Sequence, residues 1–285
     1  NDFISPYKVV NLDIENDIDG EGEITIITLS TLGFRHTAAL RRLYTGLYDN
    51  DEDIISAIKK KSKESLPDTK ALRACEKYDV SLHKNDLELI KFIYGMVHKM
   101  MPDFITYHNM VYDISKIIER LDKHGIYSAN ILADPSIPKN LKKTIFIPGK
   151  QFKIKKGIKK PIPMEEQWTT LDVFASFMCM DTMSMYDSIR QGQGKLVGGY
   201  SLANILEKNK LAGKLFYEDE KTKNMTKAQW HIYMSKYRPI EYTIYAEQDT
   251  IAMTDLELKT EDFSQSLPIF AGIADFNRFN SSVHK

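Results

Sequence analysis

The sequence predicts an α/β fold, on three observations. Val9-Val10-Asn11-Leu12-Asp13-Ile14-Glu15 and Glu23-Ile24-Thr25-Ile26-Ile27-Thr28-Leu29 are β-branched apolar runs separated by the polar stretch Asn16 to Gly22, the pattern of two antiparallel strands joined by a turn. Leu87, Ile90, Tyr94, Val97 and Met101 recur at three- and four-residue intervals, which marks an amphipathic helix. A further apolar run, Asp103 to Tyr107, follows Pro102 and leads into a second such helix, so strands and helices are interleaved along the chain.

Composition narrows the class. The 285 residues suffice for one large domain or two small ones, and 42% hydrophobic with 27% charged residues is ordinary for a globular protein. Lys plus Arg equals Asp plus Glu at 39 each, so affinity for nucleic acid has to come from local basic patches and not from net charge. Two cysteines, Cys75 and Cys179, make no disulfide framework and fit a reducing cytosol. No apolar run approaches the ~18 residues that a membrane span needs, so a cytoplasmic setting without a membrane partner is expected, in a host's cytoplasm for a viral chain. The first residue is Asn and not Met, which reads as trimming, processing or excision from a longer polypeptide. The sequence carries no Gly-rich phosphate loop, no CxxC pair, no HExxH and none of the acidic motifs of a polymerase palm.

Along the chain, residues 33–84 place an acidic run, Asp49 to Asp53, and a basic one, Lys59 to Lys63, around Ile54, Ile55 and Ile58; this reads as an elaboration containing a short helix with a solvated charged face. Asn85 then caps the first long helix, with Glu88 as its reciprocal capping-box partner, and Pro102 ends it. The helix starting near Asn109 carries Ile114, Ile117, Ile118 and Leu121 on one face and stops near Gly125. Asp113 falls in its first turn, where the helix dipole favours a carboxylate; that position alone does not separate a structural acid from a functional one.

Residues 134–163 contain five prolines and a dense set of lysines. Within 148–163 the alternation Phe152-Lys153-Ile154-Lys155 predicts a strand and Lys156-Gly157 a hairpin turn. Lys153, Lys155 and Lys156 either guard an exposed sheet edge or touch phosphates, and each phosphate contact would steepen the salt dependence of binding. Trp168 to Asp181 is apolar, and its acids Asp172 and Asp181 are candidates for extra acids near a site that read rather as helix-cap or turn residues and stay outside the metal set. Ser201 and Thr226 cap two further helices, and Pro239 opens a closing helix with Ile240, Ile244, Ile251 and Leu258 on one stripe and Tyr245, Asp249 and Ala252 on the next. One domain is expected over 1–265, followed by an unpatterned tail, 266–285, which a partner or a further domain could cover.

Tyr245 and Asp249 lie four apart and share one helical face, a spacing that many helices contain by chance. Asp13 and Glu15 lie two apart, so a strand points both carboxylates to one side. With Asp113 these make an acid pair, an acid, and a Tyr with an acid: a metal cage in three pieces.

These residues resemble the DEDD superfamily of 3′–5′ exonucleases, in the branch whose third motif is Tyr-x-x-x-Asp. Pro102-Asp103-Phe104-Ile105-Thr106 leading into Asn109-x-x-x-Asp113, and Gly199-Tyr200-Ser201-Leu202 followed by Gly213-Lys214, are similar to the proofreading domain of family B DNA polymerases. The likeness spans roughly residues 5–260. One departure is the gap of four from Asn109 to Asp113, where family B proofreading domains have five and the bacterial replicase's separate proofreading subunit has four.

The resemblance implies a ribonuclease H-like mixed sheet flanked by helices, with the basic hairpin inserted between the second and third motifs. It further implies that Asp13, Glu15, Asp113 and Asp249 bind two ions of Mg2+ or Mn2+, the choice that all-oxygen ligation favours. Tyr245 would orient the nucleophilic water, because a tyrosine of ordinary pKa about 10 is a poor base at neutral pH. Asn109 would bind the substrate strand or fix the second motif, and Tyr107, with Phe104 and Tyr112, could stack on bases, with core packing as the other fate open to each. The expected substrate is single-stranded DNA or a primer 3′ end, with a polymerase domain or subunit as partner in proofreading. Two alternatives stay open: a non-catalytic docking module of a replication complex, whose signature would be a lost metal acid, and a 3′–5′ exoribonuclease with the same cage.

Overall fold

Alternation along the first strand, β1 (Val9–Asn16), sets the two faces of the molecule. Val10, Leu12 and Ile14 enter the main apolar core, while Asn11, Asp13 and Glu15 face the opposite side. The computed structural model describes residues 7–150, 152–162, 167–190, 193–194 and 196–263. It is an α/β protein with a six-stranded mixed sheet flanked by helices.

β2 (Ile24–Thr31) returns antiparallel to β1, placing Asp13 opposite Thr28, after a turn that uses Gly22 at φ 71°. β3 (Phe34–Leu40) pairs antiparallel with β2 and leads through a turn of 3-10 helix, Arg41–Tyr44, to α1 (Asp51–Ser65) and α2 (Lys70–Arg73). β4 (Lys77–His83) then runs parallel to β3. α3 (Asp86–Met100) brings the chain back so that β5 (Phe104–Tyr107) pairs parallel with β1, and α4 (Met110–Lys123) leaves from its end. α5 (Ala129–Leu132) precedes two small antiparallel pairs: β6 (Thr144–Ile147) with β9 (Thr170–Val173), and β7 (Phe152–Lys155) with β8 (Ile158–Pro161). β10 (Met178–Asp181) closes the main sheet parallel to β5, giving the order β10-β5-β1-β2-β3-β4. Four helices follow: α6 (Thr182–Ile189), α7 (Leu202–Lys208), α8 (Lys227–Tyr237) and α9 (Pro239–Thr260).

One face of the sheet is covered by α3 and α4, whose Ile90, Ile93, Val97, Ile114, Ile117 and Leu121 share a core with Val10, Leu12, Ile27 and Leu29. On the other face, Ile26 and Ala39 pack with Ile54 and Ile58 of α1, Trp230 of α8, and Tyr242 and Ile244 of α9. No helix among the described residues is long and apolar enough to cross a membrane.

The first hairpin, the strand before the second motif, the Ser201 and Thr226 caps and the Pro239 helix start stand where the residues placed them. So does the basic hairpin, whose turn has Lys156 at φ 53° and Gly157 at φ 75°, the pair of positive angles that matches strand twist. Other expectations need correction. Asn85 caps α3 by accepting from Glu88 N at 3.0 Å, but the Glu88 carboxylate reaches Lys84 N and not Asn85 N, so the capping box is one-sided. Met101 leaves the buried stripe of α3: it adopts a left-handed conformation and is 68% exposed. Residues 33–84 hold more than an elaboration with a short helix, for they supply two of the six strands and the 15-residue α1. The stripe expected on α9 is also absent, since every residue from Tyr242 to Leu256 is buried and the helix is enclosed all round. The tail 266–285 lies outside the described residues.

Candidate metal centre

α9 crosses above β1 and is fixed there by polar contacts on either side of one spot. Asn11 Nδ2 donates to Thr254 Oγ1 at 2.9 Å, and Thr28 Oγ1 donates to the Ala246 carbonyl at 3.0 Å. Between these anchors Asp249 descends onto Asp13 and Glu15. One carboxylate oxygen from each of the three lies within 4.8 Å of the others. Asp113, buried in the first turn of α4, is not in that tight group, although its charge bears on Asp13.

The electrostatics are those of crowded anions removed from water. Burial, then the charges of Asp249, Asp113 and Glu15, push the Asp13 carboxyl well above the usual carboxylate range. Asp113 is pushed up by burial and by Asp181 and Glu15. Asp249 rises through burial despite the neighbouring Lys214. Asp181, left out of the metal set on its sequence, is indeed a cap, accepting from Ser184 N at 3.1 Å at the head of α6. Burial raises its carboxyl to about 7, against hydrogen bonds from the backbones of Ser184, Met183 and Met110. The Met110 bond makes it a support for the start of α4 as well.

Lys214 is the one cation in the centre of this group among the described residues. Its ammonium donates to Asp249 Oδ2 and lies 3.4 Å from the Tyr245 hydroxyl. Burial works against its charge, but Asp249, Asp13 and Glu15 outweigh burial and raise its pKa. The buried Gln248 holds the loop in place, its Nε2 donating to the Gly213 carbonyl at 3.2 Å. Asp249 Oδ1, by contrast, is buried with no hydrogen-bond partner. An orphaned carboxylate oxygen beside two further carboxylates suits a hard divalent cation of the Mg2+ or Mn2+ type, which takes oxygen ligands.

Glu15 is steadied from its other side. Tyr242 OH donates to Glu15 Oε2 at 2.5 Å, and His231 Nδ1 lies 2.9 Å from the same hydroxyl and 3.4 Å from the same carboxylate oxygen. Tyr245 is 1% exposed, with Trp230 edge-on to its ring at 4.9 Å. Burial and Asp249 raise its hydroxyl far above the usual tyrosine value, so it stays protonated as a donor.

The other site candidates scatter. Tyr107 is not available to stack on a base: it is fully buried, and its hydroxyl pairs with Tyr94 OH at 2.7 Å. Phe104 is likewise in an apolar cluster. Tyr112 is 42% exposed, donates to Asn16 Oδ1 at 2.5 Å, and is raised to about 12 by burial and by the charges of Glu15, Asp113 and Asp13, which places it at the rim of the acids. Asn109 is the exposed N-cap position of α4, without a side-chain capping bond. Lys153, Lys155 and Lys156 are exposed on the separate β7–β8 ribbon.

Three residues escaped the reading of the sequence as participants. Lys214 stands in a quoted motif, but was given no task. Tyr242 precedes Tyr245 by three and Asp249 by seven, a helical spacing that could have drawn attention. His231 belongs to another helix and had no local signal. No protein-family model matches the chain, and no curated protein matches it.

Proposed function

We propose that the chain is a metal-dependent 3′–5′ exonuclease acting on single-stranded or frayed DNA, with a ribonuclease H-like architecture. The observation that carries this reading is the convergence of Asp13 with the buried Glu15 and Asp249, with one Asp249 oxygen unpartnered and Lys214 the cation bonded to Asp249 among the described residues. Nothing in the packing of the sheet calls for such a group, since three carboxylates in one small volume oppose folding: two like charges 4 Å apart repel by about 4 kcal/mol at an effective dielectric of 20. The strand order supports the architecture, with an antiparallel β1-β2-β3 ribbon extended by the parallel β5 and β10. The acids sit by the carboxyl ends of parallel strands β1, β5 and β10, a common place for ligands in α/β sheets.

Asp13, Glu15 and Asp249, with Asp113 beside them, would hold two divalent cations of the Mg2+ or Mn2+ type. When bound, these supply an acidified water and neutralise charge at the scissile phosphate and the leaving 3′-oxygen. Tyr245, kept protonated, donates a hydrogen bond that orients the water. Lys214 donates to a phosphate oxygen or to Asp249, according to which is presented. Tyr242 and His231 hold the Glu15 carboxylate in one rotamer, which is what a cation site of fixed geometry requires. Tyr112, at the rim of the acids, and Asn109 would contact a terminal nucleotide, and the β7–β8 lysines would contact backbone phosphates. A polymerase domain or subunit is the partner this role calls for.

The test is incubation of the chain with 3′-labelled and 5′-labelled single-stranded DNA, and with RNA, in Mg2+, Mn2+ or EDTA. Immediate release of the 3′ label as mononucleotide, dependent on metal and on Asp13, is expected, with RNA degraded more slowly. Intact polymers under every metal would overturn the reading.

A further inference from the structure

A cavity of about 460 Å3 opens between α1, α2 and strands β3 and β4, away from the metal centre, and no metal-centre acid lines it. That volume is in the range of small-molecule sites. Four cations line it, Arg35, Lys59, Lys63 and Arg73, against one carboxylate, Asp68. Asp68 is a rim group, its side chain 80% exposed and paired with Arg73 at 2.9 Å. Among the described residues no ion pair holds Lys59 or Lys63.

The floor is more specific than the rim. The Arg35 side chain is 12% exposed, and its guanidinium lies 3.6 Å from the centre of the Tyr78 ring. NH1 is occupied by Ser62 Oγ at 2.9 Å and Glu247 Oε2 at 3.0 Å. Nε is buried and has no partner. The Arg35 charge is countered from inside by Glu247, which leaves Lys59 and Lys63 as the cavity's cations without an ion pair among the described residues. Leu66 and Leu72 give the same cavity an apolar wall.

We propose that this cavity binds a phosphate monoester attached to a flat apolar body: a mononucleotide, or the 5′-phosphorylated end of a strand. The phosphate, with about 1.5 to 2 negative charges at neutral pH, fits among the exposed Lys59, Lys63 and Arg73, and the base lies against Leu66 and Leu72. The site is distinct from the metal centre and does not depend on hydrolysis there.

Titration of the full chain in EDTA, where the uncompensated acids of the metal centre repel phosphate, isolates this cavity. The probes are dAMP, deoxyadenosine, and one oligonucleotide with either a 5′-phosphate or a 5′-hydroxyl. Saturable dAMP binding is expected, at least about tenfold tighter than deoxyadenosine, and at least about tenfold weaker in the double variant K59E/K63E. Tighter binding of the 5′-phosphorylated strand than of dAMP assigns the source to a strand end, and the reverse assigns it to the free nucleotide. The double variant changes exposed lysines only, and its melting temperature reports its fold. Equal binding of dAMP and deoxyadenosine, or unchanged dAMP binding by the folded double variant, overturns the proposal. A chain that binds dAMP yet degrades no polymer sinks the hydrolysis reading and leaves this one standing; a chain that degrades DNA yet binds no dAMP does the opposite.

Discussion

Glu247 and Asp249 sit two residues apart on the same buried helix and meet opposite fates. Glu247 has each oxygen filled: Oε1 accepts from Thr37 Oγ1 at 2.8 Å and from Tyr78 OH, and Oε2 from Ser62 Oγ at 2.7 Å and Arg35 NH1 at 3.0 Å. Asp249 accepts from Lys214 on one oxygen, has nothing on the other, and faces Asp13 and Glu15. Since α9 turns about 100° per residue, two steps carry a side chain to the far side of the helix, so one carboxylate meets donors and the other meets acids. A buried charge that is fully partnered belongs to the architecture. One left crowded and short of donors, as Asp249 is, has the form that the proposed cation site calls for.

The contrast can be broken by removing each carboxylate. Asp13→Ala should lower hydrolysis by about 10^3-fold or more, while in EDTA the protein becomes more stable by roughly 1 kcal/mol because repulsion is relieved; Asp249→Ala should lower hydrolysis as far with a smaller gain in stability, because it also takes the bonded counter-charge from the buried Lys214. Urea unfolding beside a label-release assay reads both, and a loss of stability would move the acid into the same class as Glu247. The pH course follows from the sign of the shifts. Asp13 and Asp249 are raised above the ordinary value of 3.8, so the folded chain holds their protons longer than the unfolded one. Metal-free stability from these groups is therefore full below that value and is lost as pH rises through the raised ones, and either substitution should flatten the decline.

Glu247→Ala should cost about 3–5 kcal/mol in the same urea experiment, since it leaves Arg35 buried without its counter-charge. A cost below about 1 kcal/mol would show that water reaches this network. Mg2+ sharpens the contrast: at 100 times its Kd it should stabilise the wild type by about 2.7 kcal/mol, do nothing for Asp13→Ala, and keep its effect in the milder Glu247→Gln. Calorimetric melts with and without Mg2+ decide this, and a Mg2+ response that survives Asp13→Ala would place the cation elsewhere. Smallest is Tyr245→Phe, expected to slow turnover by about tenfold with KM unchanged, as befits a residue that positions water without holding a cation. A fall as deep as that of Asp13→Ala would make the hydroxyl a ligand or a proton carrier.

Much of this centre was legible because its geometry is local. A period of two puts Asp13 and Glu15 on one strand face, and a spacing of four puts Tyr245 above Asp249, so pairs declare themselves within a few residues. What was hidden is what depends on another element. His231 reaches Glu15 from α8, and nothing near it in the sequence marks it for that task. Strand β3 escaped notice because Arg35 and His36 interrupt its apolar run, and β4 because Lys77, Asp79, Ser81 and His83 alternate with its apolar residues. The first two have their answer across the fold, Arg35 in Glu247 and His36 in Ser81 Oγ at 2.9 Å. Tyr107 was misplaced for a related reason: an aromatic beside a motif looks available until its hydroxyl is found bonded to Tyr94 in the core.

β1 has one further consequence through its place in the sheet. It is hydrogen-bonded to β2 from Asn11 through Asn16 and to β5 over Val9 to Asn11, with apolar core beneath and α9 above. The first two acids therefore ride on the part of the chain that comes apart last, where amide protons exchange with deuterium only when the whole domain opens. Heat inactivation should track melting of the domain itself, with no warmer interval in which the fold persists while the acids have drifted apart.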